Sequence, residues 1–402
     1  MNKKVGVVGA GLSGLACAVE LKKRGFEVDV YDQSSEVGGR VQTETYEGFL
    51  LDHGFQVYLP SYEMGKYFFN YKDLELKSFS AGAKVFYDGA FQSMSDPLRE
   101  PAGFISTLSN QLGSLKDKIL ILKLKLRAAS FNKVETKAVS TLEYLKDFGF
   151  SKKFISTFFK PFFSGIFLEK ELATSSSFFL YLFDKFAKSE ASVPKNGMKA
   201  LSEQLASQLG NNRVFLNSKV TEVSQNTIKI NEGSQEKYDH VVLAATPDIT
   251  NKLLGTEFKT FFNATQTYYF KTESKDFSDK KLFLNSNDEK KVNHIACMSA
   301  VSKAYAPNGW ELFSVTTVGP EDHSLDAVKS DLEKLFGKKE INTWQHLKTY
   351  KIHKALPGNP LYSKTALKKD GVFICGDFTT SPSIQGALSS GYQVAKEMSK
   401  LS

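Results

Sequence analysis

Cysteine is scarce in this chain of 402 residues: Cys17, Cys297 and Cys375 stand alone and far apart. Their spacing excludes a disulfide framework, a thiolate metal centre and a C-x-x-C redox pair, and it fits a reducing cytoplasm. Long apolar runs are missing too, and without about 20 consecutive apolar residues no membrane-spanning helix is expected. No Ser/His/Asp set, carboxylate pair or metal-ligating cluster emerges, and there is no internal repeat or low-complexity stretch. What remains is an ordinary folded composition, 41% apolar and 24% charged, with length enough for two domains or one large one.

The chain opens Met1-Asn2-Lys3-Lys4 and turns apolar, which superficially resembles a secretory signal. Gly6, Gly9, Gly11 and Gly14 interrupt that apolar region at spacings with another purpose. Val5 to Val8 reads as a buried parallel strand and Leu12 to Arg24 as a helix, with Glu20, Lys22, Lys23 and Arg24 on its outer side. Gly25 ends the helix, and Glu27 to Tyr31 reads as a second strand, completing a βαβ unit.

Gly9-Ala10-Gly11-Leu12-Ser13-Gly14 therefore lies between a strand and a helix. In that position Gly9 permits the tight turn, Gly11 lets backbone approach a pyrophosphate, and Gly14 lets helix pack on strand. The helix start offers N–H donors and a favourable dipole to the phosphates. Asp32 follows eighteen residues after Gly14, where a carboxylate can accept ribose hydroxyls. It disfavours the extra phosphate of NADP but does not separate NAD from FAD. Gly38-Gly39-Arg40 adds flexible backbone and a guanidinium able to fork onto a phosphate, or a plain loop arginine. Near the other end, Ile374-Cys375-Gly376-Asp377 is a strand running into a turn, and Ser383 to Ala387 opens a last helix. That turn suits an electron-rich group, or simply a locally capped αβ connection.

Between these ends, Lys84 to Tyr87, Asp88-Gly89 and Ala90 to Gln92 predict a hairpin, and Asp96-Pro97 and Glu100-Pro101 stop it. Phe104 to Lys188 is helical in pattern, with Leu115, Ile119, Leu122, Leu126 and Ala129 as the apolar face of one helix and a break at Pro161 and Gly165. From Lys116 to Lys170 there are 12 basic and 5 acidic residues, a surplus of +7, with phenylalanines from Phe131 to Phe167 between them. Such a segment fits nucleic acid, an anionic membrane, or a solvated helix face over a core. Strands recur from about residue 213 to 243 and from 262 to 354, the latter interrupted by a helix near Leu325 to Phe336.

With Asp52-His53-Gly54, these residues resemble the superfamily of flavin-containing amine oxidases, phytoene desaturases and protoporphyrinogen oxidases. Pro161 to Phe167 and Pro194 to Met198 resemble its middle segments, and Ala304-Tyr305-Ala306-Pro307 and Ala355-Leu356-Pro357 resemble its desaturase branch. The resemblance implies an α/β (α+β overall) fold: a Rossmann-like FAD-binding domain with an inserted substrate domain of mixed or antiparallel sheet plus a helical cap. The implied boundaries are 1–80, 190–255 and 355–402 for the FAD-binding domain, and 81–189 and 256–354 for the substrate domain, with 104–188 as cap.

By the same resemblance, FAD is the cofactor, held non-covalently, since no cysteine matches an attachment site. Gly9, Gly11, Leu12, Ser13, Gly14, Asp32, Gly38, Gly39 and Arg40 would hold its ADP half, with the backbone of Val220 at the adenine. Gly376 and Asp377 would meet the ribityl and phosphate groups, and Gly54, Ile384, Gly386 and Ala387 the flavin end. His53 and Lys303 are the candidates beside the reacting atoms. Thr379 to Ser383 stand where amine oxidases carry a paired aromatic cage, and Tyr268 and Tyr269 read as sheet residues. The implied activity is hydride removal from an apolar, isoprenoid-like substrate. Amine oxidation and a lipid-binding or assembly role without turnover are the alternatives. A small lipophilic substrate, no nucleic acid and no metal are expected. The basic cap 116–170 would let a cytoplasmic enzyme touch the inner face of a membrane.

Overall fold

The computed structural model describes residues 3–95, 110–130, 139–231, 233–273 and 277–401. Lys4–Val8 is a central strand of a six-stranded sheet, as the apolar, buried run from Val5 to Val8 requires. Glu27–Tyr31 lies parallel on one side with Val5 opposite Val28, and His240–Leu243 on the other with Val5 opposite His240. Val214–Phe215 extends the first side; Val372–Ile374 and the antiparallel edge Leu367–Lys369 extend the second. Segments from both ends and the middle of the chain thus build one sheet, parallel except at that edge. The helix Leu12–Lys23 packs against the last helix, Ile384–Met398, so closely that a Cβ on Gly391 would stand 2.2 Å from the Ser13 carbonyl.

A second, seven-stranded sheet runs Gln345–Pro357, Phe262–Glu273, Trp310–Val318, Val292–Cys297, Leu282–Asn285, Ala83–Tyr87 and Ala90–Met94. It is antiparallel except where Leu282–Asn285 runs parallel to Ala83–Tyr87. Asp88 and Gly89 close the predicted hairpin with φ of 52° and 78°, the backbone a tight two-residue turn needs. Tyr268 and Tyr269 are buried in this sheet. The expected α/β architecture is what the chain adopts, with one sheet parallel but for its Leu367–Lys369 edge and the other antiparallel but for one pair.

The cap contains Leu115–Ala129, Thr141–Asp147, a continuous helical run from Lys152 to Phe167, and Ser176–Lys188. Residues 104–109 and 131–138, with Phe131, and the Asp96-Pro97 and Glu100-Pro101 stops lie outside the described residues. Three local expectations need correction. Pro161 and Gly165 do not break the layer: a π turn over Ile155–Phe159 leads into Lys160–Phe167, and Pro161 sits where that helix starts and needs no N–H donor. Leu115–Ala129 is helical but turns the other way round. Asp117 accepts from Ser114 and Ser151 backbone at 2.8 and 2.7 Å, and this anchor buries Leu120, Leu124 and Ala128. Leu115, Ile119, Leu122 and Leu126 are left exposed. Glu20, placed outward from the sequence, is 2% exposed because Arg24 and the Tyr67 hydroxyl bind its carboxylate at 2.7 and 2.8 Å. Among the described residues no helix is long and apolar enough to cross a membrane.

Candidate functional site

A cavity of about 870 Å³ runs from the glycine turn to the cap. Gly9 enters it with φ 111°, donating its N–H to the Tyr31 carbonyl at 2.7 Å; a Cβ there would stand 2.4 Å from the Ala244 carbonyl oxygen. Gly14 does not line the cavity. A Cβ on it would lie 1.9 Å from the Gly9 carbonyl oxygen, so it serves helix packing. Gly11 caps the helix Leu12–Lys23 without a side-chain partner, and a Cβ on it would meet nothing within 4 Å. No acidic residue occupies that helix's first turn. Open space in front of unclaimed helical N–H groups is what a pyrophosphate needs.

Asp32 is anchored at the end of the second strand: Oδ2 accepts from Ala10 N at 2.7 Å and Oδ1 from Ser34 N at 2.8 Å. Each oxygen keeps a further lone pair for a ribose hydroxyl. Gly38, whose N–H donates to the Ala10 carbonyl at 2.8 Å, brings the second glycine loop against the first. A Cβ on Gly39 would lie 3.3 Å from the Gly11 Cα. The Arg40 guanidinium is engaged by Asp377 at 2.6 Å and by the Ala355 carbonyl at 2.9 Å, tying this loop to the C-terminal turn while its remaining N–H donors are available. Leu12, Ser13, Val220, Gly54, Gly376, Ile384 and Ala387 also line the cavity. Gly386 does not. Its N–H goes to Ser383 Oγ at 3.0 Å, and a Cβ would meet the Ser381 carbonyl oxygen at 2.0 Å. These open glycines, the helix start and the anchored carboxylate fit an extended dinucleotide.

His53 lines the cavity with its ring 4.8 Å from Tyr350, and burial holds its pKa below the ordinary imidazole value. Lys303 is set aside. Its side chain is 77% exposed, lies outside the cavity and pairs with Glu311 at 3.8 Å. The far half of the cavity is walled by Phe158, Phe162, Phe163, Phe178, Leu182, Phe183 and Phe186 from the cap. Phe154, Phe159 and Phe179 instead form a core of ring–ring contacts behind that wall. Among the lining residues not singled out from the sequence is His294, which lies in Val292–Cys297 and is buried at 2% exposure. Its only sequence signal is a polar Asn-His pair inside an otherwise apolar strand.

Comparison with known proteins adds the family. The family described as flavin containing amine oxidoreductase matches residues 12–399. A 4,4'-diaponeurosporene oxygenase of Staphylococcus haemolyticus is 35% identical over 78 residues, 19% of this chain and 15% of that protein. Protoporphyrinogen oxidase 2 of Arabidopsis thaliana is 45% identical over 53 residues, 13% of this chain and 10% of that protein. The chain thus spans only a small part of the curated relatives it matches. An oxidoreductase from Methanosarcina mazei superposes with a TM-score of 0.77 at 18% identity, covering 98% of this chain and 100% of that one, a likeness of fold. A family match over nearly the whole length, on a fold whose glycine turn fits a dinucleotide, makes this chain a member of the flavin containing amine oxidoreductase family.

Proposed function

We propose that this oxidoreductase dehydrogenates an apolar, isoprenoid-like substrate. The observation that carries the reading is one cavity with a dinucleotide cradle at one end and a phenylalanine-walled chamber at the other. When bound, FAD supplies the redox chemistry, accepting a hydride at its N5. The cradle formed by Gly9, Gly11, Leu12, Ser13, Asp32, Gly38, Gly39 and Arg40, with Gly14 packing the helix behind it, fixes the ADP half. Val220 would stand at the adenine, and Gly376, Asp377, Gly54, Ile384 and Ala387 line the path to the flavin end, with Gly386 shaping the last helix's start. The phenylalanine wall holds a hydrocarbon chain and excludes water. His53 is a neutral imidazole at that boundary, suited to orienting a group rather than holding charge. The names of the two relatives, a diaponeurosporene oxygenase and a protoporphyrinogen oxidase, lean toward a lipophilic substrate.

The cap supports contact with a membrane. Leu115, Ile119, Leu122 and Leu126 are exposed by 64%, 49%, 45% and 75%, with Lys116, Lys123 and Arg127 exposed on the same helix. Ile121 and Lys125 of that helix line the cavity. A helix of this kind lies on an anionic surface, each lysine contributing on the order of 1 kcal/mol, and would let a cytoplasmic enzyme draw its substrate from the bilayer. To test the activity, holoprotein is incubated with host lipid extract and an electron acceptor, and the products are read by mass spectrometry. A lipid that loses two hydrogens supports the proposal; an unchanged lipid fraction beside oxidised amines refutes it.

A further inference from the structure

Gln56 stands where the second glycine loop meets the segment His53-Gly54, and it lines the cavity. Its amide nitrogen donates twice, to the Arg40 carbonyl at 2.9 Å and to the His53 carbonyl at 3.0 Å. Turning the amide over would set its oxygen against two carbonyl oxygens, so this orientation is the only one that the two loops accept. Both N–H bonds are then spent, and Oε1 is held on the other side of the amide carbon. Among the described residues no group donates to Oε1. Nor is it sealed in the core: the buried side-chain atoms without a partner lie on other residues, His53 Nε2 being the nearest in sequence. Gln56 is half-buried, so Oε1 opens onto the cavity that the residue lines.

The two carbonyls also place that oxygen along the cavity. Arg40 reaches the C-terminal turn through Asp377 at 2.6 Å, and His53 precedes Gly54, itself a lining residue. On the other flank Phe55 belongs to the apolar side, its ring 6.0 Å from that of Phe79. Gln56 thus lies past the ADP cradle, on the stretch between the phosphate contacts and the chamber. We infer that Gln56 Oε1 accepts a hydrogen bond from the half of FAD beyond the pyrophosphate, which makes Gln56 a cofactor-binding residue. That half carries four donors, the flavin N3–H and three ribityl hydroxyls, and an acceptor held open by its own NH₂ group is the complement of either kind. The inference rests on FAD as the cofactor and is independent of the substrate.

Four analogues each lack one of those donors: 3-methyl-FAD and the 2′-, 3′- and 4′-deoxyribityl forms. FAD and each analogue are titrated into apoprotein, unmodified and Gln56→Leu, and dissociation constants are read from flavin fluorescence. In the unmodified protein the analogue that lacks the partner of Oε1 should bind about five- to tenfold more weakly than FAD, the worth of one hydrogen bond. In Gln56→Leu that one ratio should collapse toward unity, and the other three should stay as they were. A collapsed ratio for 3-methyl-FAD assigns the donor to the flavin, and one for a deoxy form assigns it to the ribityl chain. Comparing ratios removes the loss common to all ligands when the ties to Arg40 and His53 are cut. Four ratios unchanged by Gln56→Leu would mean that Gln56 only joins two loops, and would overturn the inference. If the variant does not fold, a crystal structure of the unmodified holoprotein decides. Oε1 within about 3.2 Å of N3 or a ribityl oxygen supports the inference, and Oε1 bound only by water or substrate overturns it. Failure of the unmodified protein to bind FAD would overturn the dinucleotide cradle, and this inference with it.

Discussion

Replacing Asp52 by asparagine should flatten part of the pH dependence of stability, with a magnitude the structure supplies. Asp52 is fully buried. Its Oδ1 accepts from Thr43 Oγ1 at 2.5 Å and Met198 N at 3.0 Å, and its Oδ2 from the Tyr305 hydroxyl at 2.8 Å. Burial pushes its pKa from 3.8 to about 6, with those three hydrogen bonds opposing the rise only in part. The folded protein therefore holds this proton more tightly than the unfolded chain. The resulting stability is fully present below the unfolded pKa and is lost as pH rises through about 6. A shift of about 2 units corresponds to about 3 kcal/mol, of which about 2 kcal/mol falls between about pH 4.5 and 7.5. Asparagine cannot ionise, and its carbonyl oxygen can keep the Thr43 and Met198 bonds. Carboxylates held low by a partner, such as Glu75 hydrogen-bonded to Lys195, slope the other way but are common to both proteins and cancel in the difference. The assay is urea unfolding of wild type and Asp52→Asn at both pH values with saturating FAD. Relative to wild type, the variant should gain about 2 kcal/mol on going to the higher pH. A difference independent of pH would refute the reasoning.

Other perturbations test the cradle and the cap. Asp32→Ala removes the acceptor for Ala10 N and Ser34 N as well as the ribose partner, and should weaken FAD binding by roughly ten- to a hundredfold in a fluorescence titration. Gly14→Val should yield apoprotein, because its side chain would meet the Gly9 carbonyl oxygen at the turn itself; retained stoichiometric FAD would contradict that geometry. The double change Leu122→Asp and Leu126→Asp alters exposed positions, so stability should move by about 0.5 kcal/mol or less while sedimentation with anionic vesicles is lost. Lys303→Met should leave the rate of flavin reduction unchanged, since that side chain lies outside the cavity; a large loss would restore it as a candidate.

The legible parts of this molecule are those whose cause is local. The spacing of Gly9, Gly11 and Gly14 announces a strand–turn–helix because Gly9 takes a φ of 111° at the turn and a side chain on Gly14 would meet the Gly9 carbonyl oxygen, and Asp88-Gly89 announces its hairpin through positive φ likewise. The mixed sheet was legible only as a succession of strands, since the pairing of Phe262–Glu273 with Gln345–Pro357 joins segments far apart in sequence. The hairpin of Thr43–Tyr46 and Phe49–Asp52 escaped because its turn, Glu47-Gly48, interrupts two short runs of mixed polarity. Periodicity alone could not orient Leu115–Ala129: leucines recur on two faces, and Asp117, bound to Ser114 and Ser151, decides which one is buried. At the site, Lys303 was suggested by the family resemblance alone and lies on the surface, whereas His294 reads as one more strand residue until the cap is folded over it.

The account's central claim is most directly tested by the visible spectrum of the purified protein, recorded anaerobically as host lipid extract or a panel of amines is added. The account predicts a yellow protein whose flavin absorbance bleaches with the lipid fraction and stays unchanged with the amines. Bleaching by amines alone would contradict the substrate class, and no bleaching by either would favour a lipid-binding or assembly role without turnover. A colourless protein that takes up no added FAD would contradict the dinucleotide cradle itself.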